Sequence, residues 1–364
     1  MILHLTHRLS ARGGADWHLL GVLQAQRRRG IELHLAVSEV DGSVDAPCPM
    51  TRMEHPHALG ALVQQLRPDL IHLHNVTDPH LLTLAAAGAA PTVITVQDHR
   101  CFCPGRGKWR ASSPGLPRGS VCREPMARER CSACFTDAAY FEEILARTMA
   151  RLEAVRRLTA VTVLSHYMKQ ELVQAGVEAG RIHVIPPFVH GLPPARRSES
   201  DRCVLFVGRM VPAKGPLEAV QAWRDSGLRQ PLVFAGTGSA RQQVERDAPD
   251  VRVLGWVPHD QLAALYRRAS VLVMPCRWQE PFGIVGLEGV SLGLPVAAWD
   301  SGGVGEWHPG PLVPWGDVAA LAHALRKHAD ASVAPRPGPV PVAGFEEEPL
   351  MDRLVELYRT LGGA

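Results

Sequence analysis

Glu280-Pro-Phe-Gly-Ile-Val-Gly-Leu-Glu288 places two carboxylates on either side of a Pro-Phe-Gly turn, shortly after the β-branched run Val271 to Met274. Pro281 and Gly283 predict the turn, and the run from Gly283 to Leu292 predicts a helix. A strand that turns and re-enters as a helix is the building unit of a parallel α/β sheet. The helix N-terminus then offers backbone N–H groups and partial positive charge to a phosphate, and Glu280 and Glu288 can accept hydrogen bonds from sugar hydroxyls. Taken alone, the two glutamates would read more simply as a solvated charge and a helix-start charge. The flanking sequence decides between these readings.

Upstream, Phe206-Val-Gly-Arg-Met-Val-Pro-Ala-Lys-Gly215 reads as a strand running into a loop that carries Arg209 and Lys214. In a doubly wound sheet, a loop at the carboxyl end of a strand is where ligands bind, and two cations there can neutralise a departing nucleotide diphosphate. Further out, short aliphatic runs alternate with amphipathic stretches. Predicted strands are Ile2 to Thr6, Glu32 to Val37, Leu70 to His74, Thr92 to Val96, Ala160 to Leu164 and Ile182 to Ile185. A second series follows at Cys203 to Val207, Leu232 to Ala235, Val251 to Leu254, Val271 to Met274 and Pro295 to Ala298. Helices are predicted between them, as at Asp16 to Arg29, Leu59 to Leu66 and Tyr167 to Ala175. Pro186-Pro187-Phe188 and the polar stretch Arg196 to Arg202 break the pattern as a linker, Val333 to Val342 is a proline-rich connector, and Glu346 to Leu361 is spaced as a last helix. The expected domains are 1–190, with a cysteine-rich insert at 101–134, and 200–340, with 345–364 crossing back to the first.

The 364 residues exceed what one hydrophobic core supports, and 46% hydrophobic with 21% charged residues is a globular composition. Thirty-nine basic against 36 acidic residues leave a net charge of +3, too balanced for an electrostatic nucleic-acid binder. No apolar run approaches the roughly 18 residues of a membrane span. With no signal-peptide pattern at Met1, the expectation is a cytoplasmic protein for which peripheral membrane contact stays open.

The first βα turn, Ser10-Ala-Arg-Gly-Gly-Ala-Asp16, holds Gly13 and Gly14, whose bare backbone admits a phosphate closer than a side chain would. It is not the GxGxxG dinucleotide fingerprint, and no GxxxxGK[ST] loop occurs, which counts against dehydrogenases and P-loop NTPases. The order Gly13-Gly14, Val207-Gly-Arg209 with Lys214, Ala235-Gly-Thr-Gly238, Gly255-Trp-Val-Pro258, Glu280-x7-Glu288 and Ser301-Gly-Gly-Val-Gly-Glu306 resembles the retaining family 4 glycosyltransferases (glycosyl transferases group 1) over nearly the whole chain.

That resemblance implies a GT-B fold: two Rossmann-like, doubly wound parallel-sheet domains facing across a cleft. It also implies a UDP- or GDP-sugar donor, retention at the anomeric carbon, and an acceptor that is a glycan, a lipid-linked sugar or a small molecule. Arg209 and Lys214 match the pair on the diphosphate, Glu288 the ribose ligand and Glu280 the donor-sugar contact. Phe282, Gly283 and Ile284 match the turn whose amides reach sugar and phosphate, and Val257 lies in the loop beside the base. Where many relatives carry a histidine, this chain has Gln97 in Thr95-Val-Gln-Asp-His99. Glutamine cannot act as a base, which leaves Asp98 and His99 as the neighbours able to take over. A non-catalytic nucleotide-sugar binder, a metal sensor of the same fold and a nucleotide-sugar epimerase are the alternatives.

Five of the eight cysteines, Cys101, Cys103, Cys122, Cys131 and Cys134, crowd into the insert. Cys131-x2-Cys134 after two earlier cysteines is a tetrathiolate spacing, with zinc as the simpler metal and an iron–sulfur cluster as the alternative. The family resemblance favours Cys103, Cys122, Cys131 and Cys134 as the four ligands. Arg106, Lys108, Trp109 and Arg110 read as an exposed basic loop; Cys48, Cys203 and Cys276 read as packing residues. His72 and His74 alternate along a predicted strand and share a face, where hydrogen bonding is the ordinary fate of such histidines.

Overall fold

The structure is a computed structural model that describes residues 1–10, 12–42, 44–105, 107–110, 120–122, 126–193, 202–330 and 342–362. The polar linker 196–201, the connector 333–341 and Arg106 lie outside the described residues. The chain forms two compact units, the first made of Met1–Lys108, Cys122–Phe188 and Glu347–Ala364, the second of Trp109–Val121 and Val189–Glu346.

From the N-terminus the order is β1 (Ile2–Leu9), α1 (Gly14–Arg28), β2 (Leu33–Val40), β3 (Met50–Arg52), α2 (Ala58–Leu66), β4 (Leu70–His74), α3 (Pro79–Ala86) and β5 (Thr92–Val96). Two-residue strands β6 (Trp109–Arg110) and β7 (Ser120–Val121) follow, then α4 (Arg128–Ser132), α5 (Ala138–Arg157), β8 (Ala160–Val163), α6 (His166–Gln174) and β9 (Ile182–Val184). The first unit's sheet runs β3-β2-β1-β4-β5-β8-β9, parallel throughout, with its order reversing between β1 and β4.

Strands β4, β5 and β8 are buried at every residue, as expected of central strands in a parallel sheet covered on both faces. One face, with Leu3, Leu5, Ile71, Leu73, Ile94 and Val161, packs under α2, α3, α5 and α6. The opposite face starts from Ile2, Leu70, Val93 and Ala160 and is covered by α1 together with Leu350, Met351, Leu354 and Tyr358 of α12 (Glu347–Thr360). Asp78, Asp137 and Ser165 cap α3, α5 and α6 through their side chains, so each helix begins where a short polar residue can take the first free N–H groups.

The second unit continues with β10 (Cys203–Val207), α7 (Pro216–Ser226), β11 (Leu232–Ala235), α8 (Arg241–Asp247), β12 (Arg252–Gly255), α9 (His259–Arg268), β13 (Ala269–Met274), α10 (Ile284–Ser291), β14 (Val296–Ala298) and α11 (Val318–Asp330). Its sheet is parallel in the order β12-β11-β10-β13-β14, and the order reverses between β10 and β13. Open α/β sheets bind ligands outside the carboxyl ends of the strands at such a reversal.

The predicted strands are present with ends moved by up to three residues, as in β1, which runs on to Leu9. The short β3 was not expected, nor was the β6–β7 ladder inside the insert. The stretch Trp109–Val121, expected with the first domain, groups with the second unit, where the Arg277 guanidinium lies 4.8 Å over the Trp109 ring. Lys108 is not part of an exposed basic loop: it is 1% exposed and ion-paired to Glu171 at 2.8 Å. Among the described residues no helix is long and apolar enough to cross a membrane.

Candidate functional site

The loops after β10 and β13 emerge side by side and are tied together through their backbones. The N–H groups of Arg277 and Trp278 both donate to the Ala213 carbonyl, at 2.9 and 3.0 Å. Gly215, at φ +69°, closes the first loop so tightly that a Cβ there would stand 2.0 Å from the Pro275 carbonyl oxygen. The glycines of Ala235-Gly-Thr-Gly238 have the same role on the other side: a Cβ on Gly236 would lie 1.8 Å from Gly208 O, and one on Gly238 2.4 Å from Met210 O. Three loops are thus packed backbone against backbone.

Gly215→Ala is therefore expected to cost at least about 2 kcal/mol, combining left-handed strain with a backbone collision. Gly30→Ala is the control, with φ +74° but nothing within 4 Å of the new carbon, and should cost only about 1 kcal/mol. Urea denaturation of both variants measures the difference; equal losses would mean that the loop contact is not tight.

This framework brings Lys214 onto Glu280, with Nζ 2.5 Å from Oε2. The Trp278 indole donates to the same oxygen at 2.8 Å and the Cys276 thiol at 3.2 Å. Burial would raise the Glu280 pKa, but the Lys214 charge and the hydrogen bonds from Lys214, Trp278 and Cys276 outweigh it, so the carboxyl is held below its ordinary value. Cys276 is pushed upward, first by burial and then by the Glu280 charge, and stays a thiol that donates. It is a site residue and not mere packing. The Glu280 main chain is fixed as well: its N–H donates to Ser301 Oγ at 3.1 Å, and its carbonyl accepts from Gly303 at 2.8 Å. Gly302, at φ +57°, allows that approach, since a Cβ would meet Glu280 O at 2.3 Å. Ser301-Gly-Gly is therefore the clamp on the Glu280 loop. Arg209 is exposed, with its guanidinium 5.8 Å from the Trp278 ring centroid, and Lys214 lies 4.4 Å from the same ring. Trp278 organises both cations, and nothing in its sequence context distinguished it.

Helix α10 starts at Gly283 with φ +92° and no side-chain cap, so its first N–H groups are not taken by a capping residue. Phe282 is buried and its carbonyl accepts from the Trp307 indole at 2.5 Å. One turn into the helix, Glu288 is buried, with Oε1 accepting from His259 Nε2 at 2.8 Å and Oε2 from the Tyr266 hydroxyl at 2.7 Å. His259 and Tyr266 were not read as site residues; they sit on α9 at the seven-residue spacing that puts two side chains on one helix face. Val257 is half-buried in the turn before α9, next to exposed Trp256.

In the first unit, Gly13 is the N-cap of α1 at φ −132°, and a Cβ there would meet nothing closer than Asp16 Oδ2 at 3.5 Å. Neither the backbone angle nor the packing requires glycine at this position. Gly14 begins the helix. Asp98 caps the turn after β5 and is engaged locally, accepting from Arg100 N at 2.9 Å and Arg100 Nε at 2.7 Å. His99 points into the core, 0% exposed and 3.0 Å from the Tyr167 hydroxyl. The neighbour that does reach the Gln97 side chain is His18 of α1, whose Nδ1 is 2.9 Å from Gln97 Nε2. An imidazole supplied from a distant element is invisible in the local sequence around Gln97.

Cys103 and Cys134 come together around Gly105, where a Cβ would lie 3.9 and 3.4 Å from their sulfurs, while Cys131 packs with Phe141 and Leu145. A tetrathiolate zinc site needs sulfurs about 3.8 Å apart. Among the described residues, no three cysteine sulfurs lie within 4.8 Å of one another. Cys122 is also close enough to Cys103 for its charge to act on that thiol, and no function is built on the four cysteines here.

Two family models match the chain: "Glycosyltransferase Family 4" over residues 12–190 and "Glycosyl transferases group 1" over residues 201–330. The chain is similar to the glycogen synthase of Mycobacterium tuberculosis, at 28% identity over 74% of this chain and 62% of that protein. It is also similar to the 2-deoxystreptamine N-acetyl-D-glucosaminyltransferase of Streptomyces fradiae, at 29% identity over 73% of this chain and 64% of that one. The chain thus spans less than two thirds of the length of either relative. Among solved structures, HepE of Anabaena in complex with UDP and glucose superposes with a TM-score of 0.70 at 17% identity, covering 99% of this chain and all of that one.

Proposed function

Because the chain belongs to the family 4 glycosyltransferases of the GT-B fold, we propose that it moves a sugar from a nucleotide diphosphate to an acceptor hydroxyl with retention at the anomeric carbon. The observation that carries this reading is the meeting of Lys214, Glu280 and the uncapped start of α10 at the strand-order reversal of the second sheet. Arg209 and Lys214 hold the diphosphate, and the amides of the Phe282-Gly283-Ile284 turn add donors to it. Glu288 takes the ribose hydroxyls and Val257 lies beside the base. Glu280 takes the donor sugar: its three donors all fall on Oε2, and Oε1 is the oxygen left for a sugar hydroxyl. The UDP and glucose bound by HepE support a nucleotide-sugar donor of this class.

Charge builds on the diphosphate as the glycosidic bond breaks, and the two cations stabilise it where it develops. The departing phosphate oxygen takes the acceptor proton, so no protein carboxylate is needed as base and the engaged Asp98 is not a candidate for that step. In the first unit, Gly13 leaves room that the fold itself does not use. A hollow of about 500 Å³ on the same unit, lined by Glu39, Arg52, Glu54 and Asp78 among others, offers polar groups for an acceptor.

Calorimetric titration with UDP, GDP and ADP, followed by nucleotide-sugar turnover and NMR assignment of the product anomer, tests the proposal. Saturable binding of one nucleoside diphosphate, release of that nucleotide from its sugar conjugate and a retained anomer are expected. Binding without turnover of any nucleotide sugar would leave only a binder, and an inverted product would overturn the mechanism.

A further inference from the structure

On the face of the first sheet covered by α1 and α12, an apolar first row gives way to polar rows toward the strands' carboxyl ends. His4 pairs with His72 across β1 and β4, and the next row holds Thr6, His74, Thr95 and Thr162. All three imidazoles are 0–2% exposed, between the apolar cluster under α1 and α12 and the row of threonines. One ring nitrogen from each lies within 4.8 Å of the others, the one such group among the described residues. His4 Nδ1 and His74 Nε2 are 2.8 Å apart. His72 is steadied from both sides, by the Tyr358 hydroxyl on Nδ1 and by Thr95 Oγ1 on Nε2, and Tyr358 in turn accepts from Gln26.

Two ring atoms of this group make no hydrogen bond of normal geometry, His4 Nε2 and His74 Nδ1, with the Gln26 side chain close enough to His4 to act on its charge. Whichever way the shared proton points, one of them is a buried N–H and the other a buried lone pair, and leaving both unmet costs stability. Burial also keeps the rings uncharged, lowering His4 to about 4 and taking His72 and His74 well below the ordinary histidine value. A neutral imidazole is the form that ligates a metal.

We propose that His4, His72 and His74 form a three-imidazole site for a zinc-class divalent ion, buried beneath α1 and α12. Tetrahedral zinc with bonds of 2.0–2.1 Å sets its nitrogens about 3.3 Å apart. His4 Nδ1 and His74 Nε2 stand 2.8 Å apart and one nitrogen of each ring lies within 4.8 Å of the others, so an ion held by that pair displaces the proton they share and spreads them by about half an ångström. Water completes the fourth position, and its ionisation on the metal removes one of the two positive charges that the apolar surroundings disfavour. His72 frees one nitrogen for the ion by giving up its Tyr358 or its Thr95 bond, and the bond it keeps fixes the ring's orientation. The ion would bridge β1 and β4 beneath the helix that carries Tyr358, a structural role separate from nucleotide binding.

The test uses full-length protein carrying Cys103→Ser and Cys134→Ser, so that these thiolates do not contribute, checked for folding by circular dichroism and stripped with chelator. Titration with Zn²⁺ and Co²⁺ should give one equivalent bound, with the visible bands of nitrogen-ligated Co²⁺ and no thiolate charge transfer. Adding His74→Leu should weaken binding at least tenfold. No metal bound, or equal affinity with His74→Leu, overturns the proposal and leaves a histidine cluster that hydrogen-bonds a buried water. Should a variant fail to fold, X-ray absorption of zinc-loaded wild-type protein decides: nitrogen scatterers at about 2.0 Å support the site, and sulfur alone at about 2.3 Å overturns it.

Discussion

Lys214→Ala is expected to lower turnover by roughly 10²–10³-fold and to destabilise the second unit by about 3 kcal/mol at pH 8. Both effects have one origin. In the proposed function the ammonium faces the diphosphate, and among the described residues it is also the only cation on the Glu280 carboxylate, which is 6% exposed. Without it, Glu280 keeps the Trp278 and Cys276 hydrogen bonds but loses the interactions that held its pKa down. Burial then dominates, and the Glu280 pKa in the variant rises above the unfolded value.

The sign of the pH dependence follows. In the wild type the depressed carboxyl contributes stability above its unfolded pKa, and that contribution is lost as pH falls through the lower folded value. In the variant the raised carboxyl does the reverse, destabilising increasingly as pH climbs past the unfolded pKa. The stability gap between the two proteins should therefore be widest at pH 7–8 and should shrink toward pH 4.5 and below. Urea titrations at several pH values measure it. Adding Glu280→Gln should restore part of the stability and none of the turnover. A gap that does not change with pH would mean that Lys214 and Glu280 are not coupled.

The sequence carried the fold because strands such as β10, β11 and β13 are short apolar runs separated by amphipathic stretches, as a parallel sheet covered on both faces requires. Strand β3, three residues paired on a single edge, has too little length to register as a pattern. In the site, Glu280, Glu288, Lys214 and the loop glycines were legible because a turn, a helix start and positive φ angles impose residue types locally. Trp278, Cys276, His259, Tyr266 and His18 were not. Each acts through one long-range contact, and a single tryptophan or histidine has the same local signature whether it meets a carboxylate or a core wall. In the cysteine insert, Cys131 packs with Phe141 and Leu145, and spacing along the chain does not fix direction.

Glu288→Gln separates the ribose assignment from plain core structure. Each carboxylate oxygen already accepts one bond, from His259 and from Tyr266, and an ionised carboxylate has about four acceptor positions, so two remain for a ribose diol. Glutamine has nearly the same volume, can still accept from Tyr266, and can be accommodated by a change of His259 tautomer. Its loss of stability should stay within about 1 kcal/mol. It nevertheless gives up the charge that strengthens hydrogen bonds to ribose, worth about 1.5 kcal/mol, so the Kd for the preferred nucleoside diphosphate should rise about tenfold. Glu288→Ala, by contrast, strands a buried imidazole and a buried phenol at about 1–3 kcal/mol each and should lose stability and affinity together. Calorimetry with the nucleotide and thermal unfolding of both variants give the two readouts. If the glutamine variant binds as tightly as wild type while the alanine variant merely unfolds more easily, Glu288 is the tie between α9 and α10, and the ribose must be held elsewhere.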